Sequence, residues 1–353
     1  METHQVGIWR ESAATLRLAL PLMIGQLSQM LLGLADTWMI GRVGVDELAA
    51  LTFVTSLFHL PLVFGIGVLT AVSVTTSNMR GAGNSDGARQ SCRDGHAMGL
   101  AIGSLIFILA WPLSFHLDIF AQPDGVLAHA PDFLLVLMFS LIPALASIAL
   151  KNHADALNRP WPAFWISLGG VALNVLLNWV MIFGKLGFPA LGFMGAAWAT
   201  LIARTAIWFG ILLWLSNCRG LTEWVPSRWI RGICRRNAGR MLSLGLPASA
   251  QMVFEVGAFS FAAVLTGWIG TNAMAAHQIA VTLAATAFMI PLGLSMALTV
   301  RFGEAYGAEK FGQLRTIANS GWMLSLAYSL LAAIFFWLMR DWLAAAFTRN
   351  PEL

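Results

Sequence analysis

Apolar residues run through this chain in nine long blocks, at 16–40, 50–77, 97–120, 132–156, 161–184, 193–215, 241–266, 273–299 and 317–339, with short polar or basic stretches between them. Each reaches the roughly 20 mostly apolar residues that carry a helix across the hydrocarbon core of a bilayer. The pattern predicts an all-α polytopic membrane protein with nine transmembrane helices. The first block holds Pro21 and Asp36 and is too long for a signal-peptide core, so it reads as a retained span. Prolines fall inside the blocks at Pro21, Pro61, Pro112, Pro143, Pro247 and Pro291, where each removes a backbone hydrogen bond and permits a bend.

The pattern also repeats. Leu18-Ala19-Leu20-Pro21 falls on Leu244-Gly245-Leu246-Pro247, Gly41 on Gly267, Gly44 on Gly270, Gly81-Ala82 on Gly307-Ala308 and Arg89 on Arg315, always 226 residues later. Six spans separate the two starts, so both copies enter the membrane in the same direction, as parallel repeats about an axis along the membrane normal. The expected organisation is an N-lobe of six helices at 1–215, a cytoplasmic linker at 216–240 and a partial C-lobe of three helices at 241–353. A full second copy would run to about residue 452, twice the 226-residue offset, so nine of twelve helices are expected here. Pro21 and Pro247 occupy equivalent places and are hinge candidates.

Composition agrees with a membrane setting, at 58% hydrophobic and 11% charged residues. The net charge of +4 does not point to nucleic acid, because the basic residues are spread over alternate loops instead of one face. With the N-terminus inside, 16 of them lie on the cytoplasmic side and 4 outside, with Arg204 left within the sixth block. The positive-inside rule then sets a cytoplasmic N-terminus. The linker carries Trp224 and Trp229 among several arginines, and these are expected to anchor at headgroup level.

Chemistry is sparse. Cys92, Cys218 and Cys234 show no C-x-x-C spacing, which supports neither a disulfide framework nor a zinc site. No H-E-x-x-H, G-x-S-x-G or paired His/Asp arrangement occurs within a span, so an enzyme is not expected. A carboxylate inside a span costs on the order of 2.5–3.5 kcal/mol even on the mild insertion scale, so one kept there should face a cavity or a partner. Asp36, in the outer half of the first block, and Glu255, near the centre of the seventh, are such groups, and they do not coincide at the repeat offset.

Asn174 and Asn178 lie one turn apart on one face of the fifth span, and Thr200 lies in the sixth. Amide carbonyls, a hydroxyl and a carboxylate form the oxygen-only set that hard cations prefer. If the bundle brings Asp36, Asn174, Asn178 and Thr200 together they could hold Na⁺, or Asp36 alone could carry a proton. The competing reading makes the Asn and Thr residues interhelical packing bonds. Arg204 could pair with Asp36 or snorkel to an interface, with a structural role favoured. His59, His277 and Gln278 read more simply as partners of backbone groups. The content of 22 Phe, 15 Trp and 16 Met suits a cavity for flat lipophilic cations and suits lipid-facing packing equally.

These residues resemble those of the multidrug and toxic compound extrusion (MATE) transporters, most closely the bacterial NorM-type branch. The resemblance runs over essentially the whole chain: Leu20-Pro21, Ala35-Asp36 with Gly41, Gly81-Ala82-Gly83, Asn174 and Asn178, Pro247 and Glu255, and Gly307-Ala308. It implies a monomer of twelve helices in two six-helix lobes around a V-shaped cleft, exporting organic cations in exchange for Na⁺ or H⁺, with no other cofactor. By position, Asp36, Asn174, Asn178 and Thr200 would form the N-lobe cation site and Glu255 would be the C-lobe acid. That branch carries a further acid in its tenth helix, which this sequence does not reach, so the C-lobe site is expected to be incomplete and transport by the isolated chain impaired. The alternative is a flippase or exporter of lipid-linked saccharides. Such a protein would line its cleft with several basic residues for pyrophosphate, and here Arg204 alone is available.

Overall fold

The computed structural model describes residues 2–229 and 232–347; Arg231, Arg349 and the segment ending at Leu353 lie outside the described residues. The described residues form helices and connecting turns, with no strand among them. In chain order the helices are α1 Glu2–Ile40, α2 Val45–Gly81, α3 Ser85–Ser114, α4 Asp124–Leu127, α5 Ala130–Phe139, α6 Leu141–Ala156, α7 Pro160–Phe183, α8 Phe193–Asn217, α9 Arg235–Ile269, α10 Thr271–Gly307 and α11 Phe311–Phe347. Nine spans among them are long and apolar enough to cross a membrane, α5 and α6 together supplying the fourth.

Two elements differ from the sequence pattern for local reasons. The fourth block breaks at Ser140, because Pro143 lacks an amide hydrogen and its ring crowds the carbonyl four residues back, at Phe139. The third helix begins at Ser85, well before the apolar block, since Asn84 caps it by accepting from the Gly87 amide at 2.8 Å. Its polar first turns bury Ala88, Ser91, Cys92, Asp94 and His96 along one side. They form an amphipathic extension of the span, invisible to a pure hydropathy reading.

The duplication is visible in atomic detail. The turn after α2 places Gly83 at φ +68°, and the turn after α10 places Glu309, 226 residues on, at φ +57°. Both turns close the same way: the Ala82 amide donates to Asn78 O and the Ala308 amide to Glu304 O, each at 3.0 Å. The close glycine contacts between the copies come in mated pairs. A Cβ on Gly67 would overlap the Ser249 backbone and one on Gly293 the Met23 backbone; one on Gly81 would overlap Glu304 and one on Gly307 Asn78. Exchanging the copies turns each contact into its mate, as a twofold axis requires. Small residues permit this approach of α1 and α2 to α9 and α10, which in a bilayer is driven by packing instead of water exclusion.

Candidate functional site

Three helices deliver the oxygen-bearing side chains singled out in the sequence. Asp36 sits on the last turns of α1, Asn174 and Asn178 on one face of α7, and Thr200 on the facing side of α8. The opposite face of α7, with Trp165, Leu176 and Trp179, is exposed, so its amphipathicity turns the two asparagines inward. Asn178 is fully buried and Asn174 and Thr200 nearly so. Gly184, in the left-handed region at φ +64°, ends α7 and lets the chain return as α8.

The four residues form one chain of hydrogen bonds. Asn178 Nδ2 donates to Asp36 Oδ1 at 2.5 Å and to Asn174 Oδ1 at 3.0 Å, and Asn174 Nδ2 donates to Thr200 Oγ1 at 3.3 Å. The same heavy-atom positions serve a second orientation of Asn174, in which its Nδ2 donates to Asp36 Oδ1 at 3.2 Å. Its Oδ1 then accepts from Thr200 Oγ1 and the Thr200 amide, both at 3.3 Å. Asn178 Oδ1 is buried with no hydrogen-bond partner. An orphaned buried acceptor costs about 1–3 kcal/mol, and here it lies on a residue already bonded to a carboxylate. A small hard cation bound by these oxygens, or a proton on Asp36, is the chemistry that such a set can hold.

The other candidates stand apart. Glu255, on α9, is exposed and makes no hydrogen bond or ion pair among the described residues. Pro21 and Pro247 lie inside α1 and α9, which run through them as helix; Pro21 is buried and Pro247 exposed. His59 and Gln278 are exposed, and His277 Nε2 is buried without a partner. Among the described residues, no group of three or more His, Cys, Asp or Glu could hold a metal ion.

Arg204 makes no ion pair with Asp36 within 4 Å; its Nη1 donates to Ser140 Oγ at 2.7 Å, and its guanidinium lies over the Phe58 ring at 4.8 Å. The Ser140 bond was not legible from sequence, since it depends on the α5–α6 break facing α8. A second polar group was missed because it lies in the α3 extension. Asp94, fully buried, accepts from Gln90 Nε2 at 2.8 Å, the Cys234 amide at 3.0 Å and Asn237 Nδ2 at 2.7 Å. A carboxylate of α3 thereby caps α9 from across the structure.

The linker tryptophans, expected at headgroup level, are half-buried against the helices. Trp224 and Trp229 pack against the buried cluster containing Cys92, Leu150, Ile211 and Leu215. Trp229 also meets the His96 ring edge-on at 5.7 Å, and the Trp224 carbonyl accepts from His153 Nε2 at 3.0 Å. That bond fixes the His153 tautomer, so Nδ1 accepts from Thr76 Oγ1 at 3.0 Å. The segment is folded back onto α3, α6 and α8, and the tryptophans form part of that interface.

Comparison with known proteins places this geometry in context. The MatE family model matches residues 21–180 and 247–353. "Probable multidrug resistance protein NorM" of Pseudomonas syringae pv. tomato is 33% identical over 343 residues, covering 97% of this chain and 75% of that protein. The NorM protein of Bradyrhizobium diazoefficiens is 36% identical over 299 residues, covering 84% of this chain and 64% of its own length. Among solved structures, a variant of the Vibrio cholerae MATE transporter VcmN superposes with a TM-score of 0.89 at 22% identity, over 98% of this chain and 78% of that one. An outward-facing multidrug resistance MATE transporter superposes at 0.85 with 24% identity, over 96% and 75%. These structures share the fold.

Proposed function

The chain belongs to the MATE family of multidrug efflux transporters, and from that premise we propose that it is a secondary active antiporter exporting small organic cations in exchange for Na⁺ or H⁺. The observation that carries the reading is the buried run from Asp36 through Asn178 and Asn174 to Thr200, with Asn178 Oδ1 left unpartnered. Among the described residues it is the one place where three spans turn oxygen ligands toward a carboxylate within a span. The NorM and MdtK names of the relatives support drug-like substrates, and the excess of basic residues on alternate loops supports a cytoplasmic N-terminus in a bacterial plasma membrane.

A cation or proton at Asp36 withdraws charge from the carboxylate to which the Asn178 amide donates, and so weakens that bond. Binding therefore alters the bonds between α1, α7 and α8, which is the differential interaction that a ligand needs in order to shift a conformational equilibrium. Glu255 is proposed as the acid of the second copy. The saccharide-flippase reading gains nothing, because Arg204 is occupied by Ser140 and Phe58.

The test is efflux of a fluorescent organic cation by the purified chain in proteoliposomes, under a Na⁺ or a proton gradient imposed separately. One gradient should drive accumulation, and Asp36→Asn should bring it to the level of empty vesicles. Undiminished pumping by Asp36→Asn would remove the site from the mechanism.

A further inference from the structure

The seam between the two copies is symmetric in its small residues and asymmetric in its charges. Ser77 and Gly303 face each other at equivalent positions, and buried Leu18, Ala19 and Leu22 of α1 meet Leu294, Ala297 and Val300 of α10. At the end of this seam where α1 begins and α10 finishes, Arg301 reaches across to α1. Its Nη2 bonds Glu11 Oε2, and its Nη1 donates to Glu11 O at 2.9 Å and Thr15 Oγ1 at 3.2 Å. Only 18% of the Arg301 side chain and 22% of that of Glu11 is exposed.

This clasp has no mate. At the repeat offset Glu11 corresponds to Asn237 and Arg301 to Thr75. Asn237 is engaged with Asp94, and Thr75 donates to Ala71 O in its own helix. A second, weaker cross-seam contact, Arg80 to Glu304 at 3.4 Å, is likewise unmatched, since its equivalents are Tyr306 and Asn78. A packed seam of small residues can separate and reform with little directional penalty. A shielded charge pair cannot, because parting leaves two charges without partners.

We propose that Glu11 and Arg301 form a single-sided latch that holds the basic, cytoplasm-facing ends of the two copies together, and that releasing it is a required step when the protein opens to that side. The latch concerns the conformational equilibrium of the transport cycle and rests on the transporter reading only for its place in that cycle. Both residues are positioning residues: neither touches the Asp36 cluster, and each acts by biasing the equilibrium from which the cation site is served.

The experiment is a spin-label distance measurement on the full chain in lipid nanodiscs, with labels on Asp86→Cys and Gln313→Cys, which are exposed at the starts of α3 and α11. The accessible native thiols are first removed by Cys218→Ser and Cys234→Ser. The parent should give one short distance population. Glu11→Gln and Arg301→Gln should each enlarge a longer-distance population by roughly fivefold or more, the lower end of usual conformational coupling. Reversing the pair, Glu11→Arg with Arg301→Glu, should restore the parent distribution, which a purely local packing role would not do. Parent-like distances in both neutral variants would overturn the latch. If those variants cannot be reconstituted, the reversed pair decides: a parent-like distribution supports the latch and a long-distance one refutes it. No transport is measured, so failure of the antiport reading would leave this result unchanged.

Discussion

Ser77 and Gly303 are the same position of the two copies, 226 residues apart, and they touch. A contact between equivalent positions can occur only on the axis that relates them, so the pair marks the centre of the molecule. Both are buried, and a Cβ on Gly303 would overlap Ser77 Oγ. Gly303→Ala should therefore destabilise the fold by about 1–3 kcal/mol through overpacking, and Gly303→Val by more. A thermal melt of the detergent-purified chain reads this directly. Gly257 has open space around its Cβ position and provides the control, so Gly257→Ala should leave the melting temperature unchanged or raise it. Equal behaviour of the two alanine variants would mean that the seam is looser than described.

Within the proposed cation site, Thr200 is the residue with the least reason to be polar unless the chain of bonds matters. Thr200→Val keeps its shape and removes the hydroxyl that Asn174 uses in either amide orientation. An unpaired amide in the span should cost about 1–3 kcal/mol of stability. Ion-driven efflux should fall further than that loss accounts for, because the Asn174 amide is then free to turn away from Asp36. Full stability with full efflux would assign Thr200 to ordinary packing.

Much of this was legible in the chain itself, and the limits are instructive. Apolar length located all nine spans, since a bilayer imposes a length on whatever crosses it. The cost of a polar atom in hydrocarbon pointed to Asp36, Asn174, Asn178 and Thr200, which α1, α7 and α8 do bring together. The same argument applied equally to Glu255, which stands exposed, because intramembrane cost says that a partner is needed without saying where it lies. The packing of Trp224 and Trp229 was not legible for a related reason. A ring at headgroup level and a ring beneath a folded-back linker are the same amphipathic residue in the sequence, and the contacts with His96 and His153 appear only once the chain is folded. Asp94 was hidden because α3 continues past its apolar block, where hydropathy has no signal.

Asp94 makes its own prediction. It receives the Cys234 amide and Asn237 Nδ2, the groups that begin α9, as well as Gln90 Nε2. Asp94→Ala leaves the Cys234 amide without its acceptor and strips Asn237 and Gln90 to their weaker or second partners, Met241 Sδ and Gly232 O; a hydrogen bond to a charged group contributes about 1.5–3 kcal/mol. The first turn of α9 should fray and the arginine-rich linker should lift from α3, where Arg93 also donates to Arg228 O and Gly232 O. Limited trypsin digestion should then cut between α8 and α9 several times faster than in the parent. Asp94→Asn, which keeps an acceptor, should fall between the two. Unchanged digestion would show that the tryptophan cluster alone holds the linker.

Arg204 tests whether a buried charge is retained for stability. Its direct partners are a hydroxyl and an aromatic face, with no carboxylate among the described residues within ion-pair distance, so little offsets the cost of placing a guanidinium in a span. Ser140 does not depend on it, because Ser140 Oγ also donates to Leu137 O at 2.6 Å. Arg204→Met, of comparable length and without charge, should thus leave the melting temperature unchanged or raise it. Removing a buried ion from a true pair would instead cost about 3–5 kcal/mol by stranding the other charge. A stable Arg204→Met chain that has lost ion-driven efflux would place the charge in the service of Asp36, one turn beyond Thr200 on α8. A chain that melts early would make Arg204 the strap that holds the α5–α6 break against α8.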